Sequence, residues 1–126
     1  MSKRTWRLHV RSKVWLVDDE ERVVLGLGRV KMLQAIQRLG SINAAAKDLK
    51  MSTRAIWGRI KNSEERLGRK LLVRSVGGIA GGGSQLTEFA VTLINLFDDL
   101  NRRVEQQSDA LFHAACQGHS RSMERT

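Results

Sequence analysis

Between positions 52 and 61 the chain sets out Ser52, Thr53, Arg54, Trp57, Gly58 and Lys61. These are two hydroxyls, two cations, one large aromatic and one residue with no side chain. On the exposed face of a helix such a set suits the edge of a duplex. Arg54 and Lys61 can read base edges or grip phosphates, and Ser52 and Thr53 can meet the backbone at the helix start. Trp57 can pack on a sugar or a thymine methyl, and Gly58 lets a helix sit deep in a groove. The bland alternative is a helical hairpin of some other small fold, with Arg54 and Lys61 as ordinary solvated charges.

Two elements must position these residues. Ser41 is a natural N-cap, and behind it Ile42, Ala45, Ala46 and Leu49 fall on one helical face. The alanines allow close approach of another helix. Ser52 is a second N-cap, and Ile56, Ile60, Ser63 and Leu67 share one face of the helix it opens. At about 100° per residue, Arg54, Trp57, Gly58 and Lys61 point the other way. Gly68 suits the C-cap. Two short helices on a tight turn, the second basic outside, make a helix-turn-helix. Asn43 and Lys47 on its first helix are placed to touch flanking phosphates.

The whole composition agrees. Lys and Arg total 22 against 13 Asp and Glu, a formal charge of +9, which favours polyanionic partners, nucleic acid before an anionic membrane surface. The single cysteine excludes an intrachain disulfide framework. The N-terminus lacks the apolar core of a signal peptide, and no apolar run approaches the roughly 18 residues of a membrane span. The expected compartment is the cytoplasm.

In chain order, residues 6–17 alternate imperfectly and predict a strand, bent near Arg11 to Lys13. The acidic turn Asp18–Glu21 follows, more suited to solvent than to a metal, and Val23 to Leu25 predict a return strand. Val30, Leu33, Ile36 and Leu39 predict a first helix over 28–39, ended by Gly40. After the basic helix, residues 70–76 predict a strand and Gln85 to Thr87 its return. Between them lies a glycine-rich loop with Gly77, Gly78, Gly82, Gly83 and then Ser84. Strand, glycine loop and strand after a helix-turn-helix is the layout of a wing. Glycines let a backbone approach a phosphate closely, and Arg69, Lys70 and Arg74 supply charge beside them. The alternative is a plain surface loop.

Thr87 caps a last helix. Phe89, Leu93, Leu96 and Leu100 repeat at helical spacing, and Ala90, Ile94, Phe97, Val104 and Leu111 widen the stripe. A helix to about residue 114 runs some 40 Å at 1.5 Å per residue, more than a small core can cover. The expected use is a homodimer through Phe89, Leu93, Leu96, Phe97, Leu100 and Val104. His113, Cys116 and His119 carry ligand-like atoms at i, i+3 and i+6. They are a weak candidate for zinc or another soft metal, because no fourth ligand is evident and i+6 turns away from i. Nothing resembles a catalytic constellation, and no cofactor is expected.

From Leu8 to about Phe112 the chain resembles the N-terminal DNA-binding domain of the molybdate-responsive ModE regulators. The resemblance is carried by GSINAAAKDLKMSTRAIWGRIKNSEERLGRKLLVRSVGGIAGGGSQLTEF and above all by its glycine-rich wing. The helix pair alone is also similar to LysR-type regulators. The resemblance implies an α+β, mostly α, winged helix-turn-helix, a homodimer through the long helix, and transcriptional regulation with molybdenum uptake as a first target. The expected division of the chain is an N-terminal ribbon over 1–27, the DNA-binding domain over 28–87, the dimerisation helix over 88–116 and a disordered tail over 117–126. The expected partner is double-stranded DNA. The chain ends at Thr126 without the oxyanion-binding domains of those regulators, so molybdate sensing is not carried over and no small-molecule effector is identifiable. Two other readings stay open: a non-specific nucleoid-type DNA binder, and a metal-binding adaptor using His113, Cys116 and His119.

Overall fold

A computed structural model describes residues 7–75 and 83–124. In order these form β1 (Trp15–Val17), β2 (Val23–Gly26), α1 (Leu27–Leu39), α2 (Ile42–Leu49), α3 (Thr53–Leu67), β3 (Leu72–Ser75), β4 (Gly83–Leu86), α4 (Glu88–Gly118) and α5 (Ser120–Glu124). The chain divides into two compact units. One is Val14–Leu96, and the described part of the other is residues 7–13 with 97–124. Among the described residues, no helix is long and apolar enough to cross a membrane.

The β1–β2 hairpin is set by Asp18. Its Oδ1 accepts from the amides of Glu20 and Arg22, both at 2.9 Å, and its Oδ2 from Arg22 Nε at 2.8 Å. The Arg22 amide above all holds this carboxyl below its ordinary value. The four acids therefore build a turn with Asp18 as its pivot. The expected strand over 6–17 is much shorter. β2 has only four residues, and its last, Gly26, already pairs with Trp15. Beyond Gly26 the chain enters α1, so residues before Trp15 have no ladder to join.

Three helices and β2 make the core of the first unit. Leu25, Val30, Leu33, Ile36, Ala45, Ile56, Ile60 and Leu71 are all buried. Serine hydroxyls cap two helices as the spacing predicts. Ser41 Oγ accepts from the Ala44 amide and Ser52 Oγ from the Ala55 amide, both at 3.0 Å. Each bond satisfies one of the donors that a helix start leaves free. Ser63, on the apolar face of α3, is 1% exposed; its hydroxyl donates to the Val24 carbonyl, which pins α3 to β2. The turn between α2 and α3 passes through Lys50 at φ 56°, a left-handed conformation that glycine adopts with less strain.

The second hairpin is antiparallel, with Leu72 opposite Leu86 and Ser75 opposite Gly83. It is fastened to the helices at both ends. The Ser84 amide donates to the carbonyl of Gly40, the left-handed cap of α1, at 2.9 Å. Thr87 Oγ1 donates to the Lys70 carbonyl at 2.8 Å and accepts from the Ala90 amide at 3.1 Å, so one side chain closes β3 and caps α4. Gly83 has a packing reason to be glycine: a Cβ there would collide with the Gly40 carbonyl oxygen.

α4 is 31 residues long, about 46 Å at 1.5 Å per residue. It runs past the expected end near 114–116, and residues 120–124 are helical where a disordered tail was expected. His119 continues the hydrogen-bonding, its amide donating to the Ala115 and Cys116 carbonyls, each at 3.2 Å. The expected dimer stripe also needs correction at Phe97. It is 1% exposed in the single chain and has no surface to offer a second copy.

Candidate nucleic-acid interface

α3 separates its two faces sharply. Ile56, Ile60 and Ser63 are buried, whereas Ser52, Thr53, Arg54 and Trp57 are exposed, the tryptophan 53% so. A half-bare indole beside an exposed guanidinium is poor use of apolar area for an isolated domain, and good use for one that meets a partner. Gly58 lies on the same face. A Cβ there would find nothing within 4 Å, so no contact inside the chain requires glycine.

The N-terminus of α3 is tied to α2. Thr53 Oγ1 donates to Asn43 Oδ1 at 3.1 Å. This fixes Asn43 and leaves its amide N–H groups for an outside acceptor. Lys47 is exposed one turn further along α2, and Arg38 is paired with Asp48 at 2.8 Å.

Lys61 is less free than the sequence suggests. Its Nζ lies 3.2 Å from Glu64 Oε1 and 5.6 Å from the Trp57 ring centroid. Glu64 is 7% exposed, and its Oε2 accepts from the amides of Leu71 at 2.8 Å and Leu72 at 3.1 Å. Its Oε1 is met by the Lys61 ammonium as an ion pair, without a well-aligned hydrogen bond. Burial pushes this carboxyl up, but the two amides and Lys61 outweigh burial and hold it below its ordinary value. Glu64 thus ties the start of β3 to α3. Sequence reasoning gave it no role; the signal is a glutamate four residues before a capping glycine and seven before a buried leucine.

Between α3 and the second hairpin lies a cleft of about 350 Å³, lined among others by Trp57, Lys61, Val73, Arg74, Gly83 and Ser84. Arg74 is exposed on β3, opposite Ser84 on β4. The structure therefore brings Arg74, Gly83 and Ser84 to the same cleft as Trp57 and Lys61. Gly77, Gly78 and Gly82 lie outside the described residues.

The remaining expectations fare differently. Phe89 is half-buried under the Arg69 guanidinium, 4.0 Å from its ring centroid. Leu93, Leu100 and Val104 are half-buried, while Leu96 and Leu111 are 52% and 68% exposed. His113 accepts or donates at 3.2 Å with Gln117, and Cys116 is buried. Among the described residues no group of three His, Cys, Asp or Glu could hold a metal. The six residues from His113 to His119 leave them about 120° apart around the axis and about 9 Å apart along it, so the three do not converge.

A capped helix pair, a tight turn and a basic outer face, followed by a two-stranded hairpin fastened beside the second helix, define a winged helix-turn-helix. The model of bacterial regulatory helix-turn-helix proteins of the lysR family matches residues 27–90, just over half of the chain, and the chain belongs to that family. Among curated proteins it is similar to the transcriptional regulator ModE of Haemophilus influenzae, 43% identical over 77 residues, covering 61% of this chain and 30% of that protein. It is 34% identical over 95 residues to the molybdenum transport protein ModE of Azotobacter vinelandii, covering 75% of this chain and 35% of that one. Among solved structures, the crystal structure of the CbnR DBD–DNA complex aligns with a TM-score of 0.55 and 25% identity, over 72% of this chain and 99% of that one. The chain spans about a third of the length of these curated relatives.

Proposed function

We propose that this chain binds double-stranded DNA as a sequence-reading regulator of transcription, with α3 lying in the major groove. The observation that carries the reading is the outer face of α3. Arg54, Trp57 and Gly58 stand together there, next to the hairpin cleft with Arg74. A B-form major groove admits one such helix, and side chains near its N-terminus reach the base edges. In this reading Arg54 is the principal base reader, and Ser52, Thr53, Asn43 and Lys47 meet the sugar-phosphate backbone. Lys61, held by Glu64, serves the groove through Trp57. Arg74, Ser84 and the glycines at 77, 78, 82 and 83 meet the neighbouring groove.

A homodimer through the exposed part of α4, Leu96 and Leu111 foremost, fits the same reading, because two copies place two recognition helices on a palindromic site. The molybdenum-linked names of the ModE relatives make genes of molybdenum uptake the first targets to try.

The test is selection of duplexes from a random pool, followed by affinity measurement on the selected and a scrambled duplex. A regulator prefers its selected duplex by about a thousandfold or more. Arg54→Ala should then cost about 1–3 kcal/mol and relax preference at one base position. Equal affinity for both duplexes, lost together as salt rises, would leave a general DNA binder instead.

A further inference from the structure

The basic residues of the first unit are not evenly partnered. Arg22, Arg38, Lys61 and Lys70 each lie within 4.0 Å of a carboxylate. Arg29, Arg59 and Arg66 have no such partner among the described residues; Arg59 and Arg66, seven residues apart, share one side of α3, and Arg29 reaches the Arg59 backbone. Arg29 Nε donates to the Arg59 carbonyl at 3.3 Å, and Arg66 Nη1 donates to the Val23 carbonyl at 2.6 Å. Burial of Arg29, and then the charges of Arg66 and Arg59, push its pKa down. Each guanidinium carries five N–H donors, so the single backbone bond made by Arg29 and by Arg66 leaves the rest of each fork for an outside acceptor. Three gathered cations without a counter-charge repel one another until an anion arrives.

Their place on the fold says which anion. Trp57 and Lys61 turn towards the β3–β4 hairpin, whereas Ser63 and Arg66 turn towards β2. The cluster therefore occupies the flank of α3 away from the hairpin. Arg59 follows Arg54 by five residues, about 140° around the helix axis. A major groove is about 12 Å wide and a helix with its side chains about 10–12 Å across. A helix in the groove thus has a phosphate wall on each flank. We propose that Arg29, Arg59 and Arg66 form a phosphate-binding site that grips the wall opposite the one met by the hairpin. The inference rests on the placement of α3 proposed above. Its consequence is a footprint clamped on both strands, with affinity that is independent of sequence on the arginine side.

The test uses the full chain, a duplex it selects from a random pool, and a scrambled duplex. Affinity is read by fluorescence anisotropy across a salt series for the wild type and for Arg59→Gln, Arg29→Gln with Arg59→Gln, Arg59→Lys and Arg54→Ala. Circular dichroism melts are run on each. Arg59→Gln should weaken both duplexes by the same factor, several-fold, and flatten log K against log salt by about 0.9 for each phosphate no longer neutralised. The double variant should flatten it further, and Arg59→Lys should keep the wild-type slope because it keeps the charge. Wild-type slope and affinity in both glutamine variants, with Arg54→Ala still impaired, would overturn the flank site while leaving α3 in the groove; the cluster would then face an acidic protein surface. Equal loss in Arg59→Lys and Arg59→Gln would overturn it in favour of a structural role. If the wild type binds neither duplex, the flank site and the placement of α3 fall together.

Discussion

Gly58→Ala separates folding from binding, because the two should move in opposite directions. Gly58 sits in the interior of α3, and an added Cβ meets no atom within 4 Å. The methyl therefore clashes with nothing inside the chain. Alanine loses less backbone entropy on folding than glycine, a gain of roughly 0.5–1 kcal/mol in a helix interior. For a domain of this size that raises Tm by about 2–6 °C. If α3 lies in a groove, the same methyl intrudes where Gly58 faces the duplex. Overpacking a close interface costs about 1–3 kcal/mol, a loss of roughly five- to 150-fold in affinity. Differential scanning calorimetry and anisotropy on one preparation measure both. A variant with raised Tm and unchanged DNA affinity refutes the claim that this face of α3 meets the duplex. A variant with lowered Tm refutes the claim that the space around Gly58 is open.

Three further changes test the parts that hold the site. Glu64→Ala orphans the amides of Leu71 and Leu72 and removes the partner of Lys61, which should cost about 2–4 kcal/mol in denaturant unfolding. The folded pKa of Glu64 lies below its ordinary 4.5, so its contribution is fully present above that value. It drains away as pH falls from there through the folded pKa, and Glu64→Gln should flatten the stability profile in that acid window; an unchanged slope would count against the ion pair. Gly83→Ala drives a methyl into the Gly40 carbonyl and should cost about 1–3 kcal/mol, whereas the same change at Gly28, where a Cβ meets nothing, should not. Leu96→Glu with Leu111→Glu should shift sedimentation towards the monomer without lowering Tm at low concentration, both side chains being exposed.

The sequence is most legible where structure is local. Ser41, Ser52 and Thr87 cap the helices that their positions predict, because a cap needs only its own hydroxyl and an amide three residues on. Gly40 and Gly68 end α1 and α3 for the same reason: φ values of 85° and 67° are a local demand. The periodicity of α3 sorts Ile56, Ile60 and Ser63 from Arg54 and Trp57 without any knowledge of neighbours. Legibility fails where a residue answers to something distant. Alternation over 6–17 reads as a strand, but a strand needs a partner of equal length, and β2 has four residues. Phe97 fits the dimer stripe by spacing, and only its burial removes it.

Glu64 and Lys61 make the same point within the site. By type and spacing Lys61 is as good a phosphate ligand as Arg54. What separates them is the carboxylate one turn along, and that carboxylate is buried because Gly68 turns the chain back so that the Leu71 and Leu72 amides reach it. The lysine beside the hairpin thus uses part of its charge to hold the hairpin's first strand to α3. The arginines on the other flank pair with no carboxylate in the described chain. The pairing makes Lys61 part of a structural joint, while Arg59 and Arg66 on the other side, like Arg74 on the hairpin, keep charge for the salt-dependent part of DNA binding.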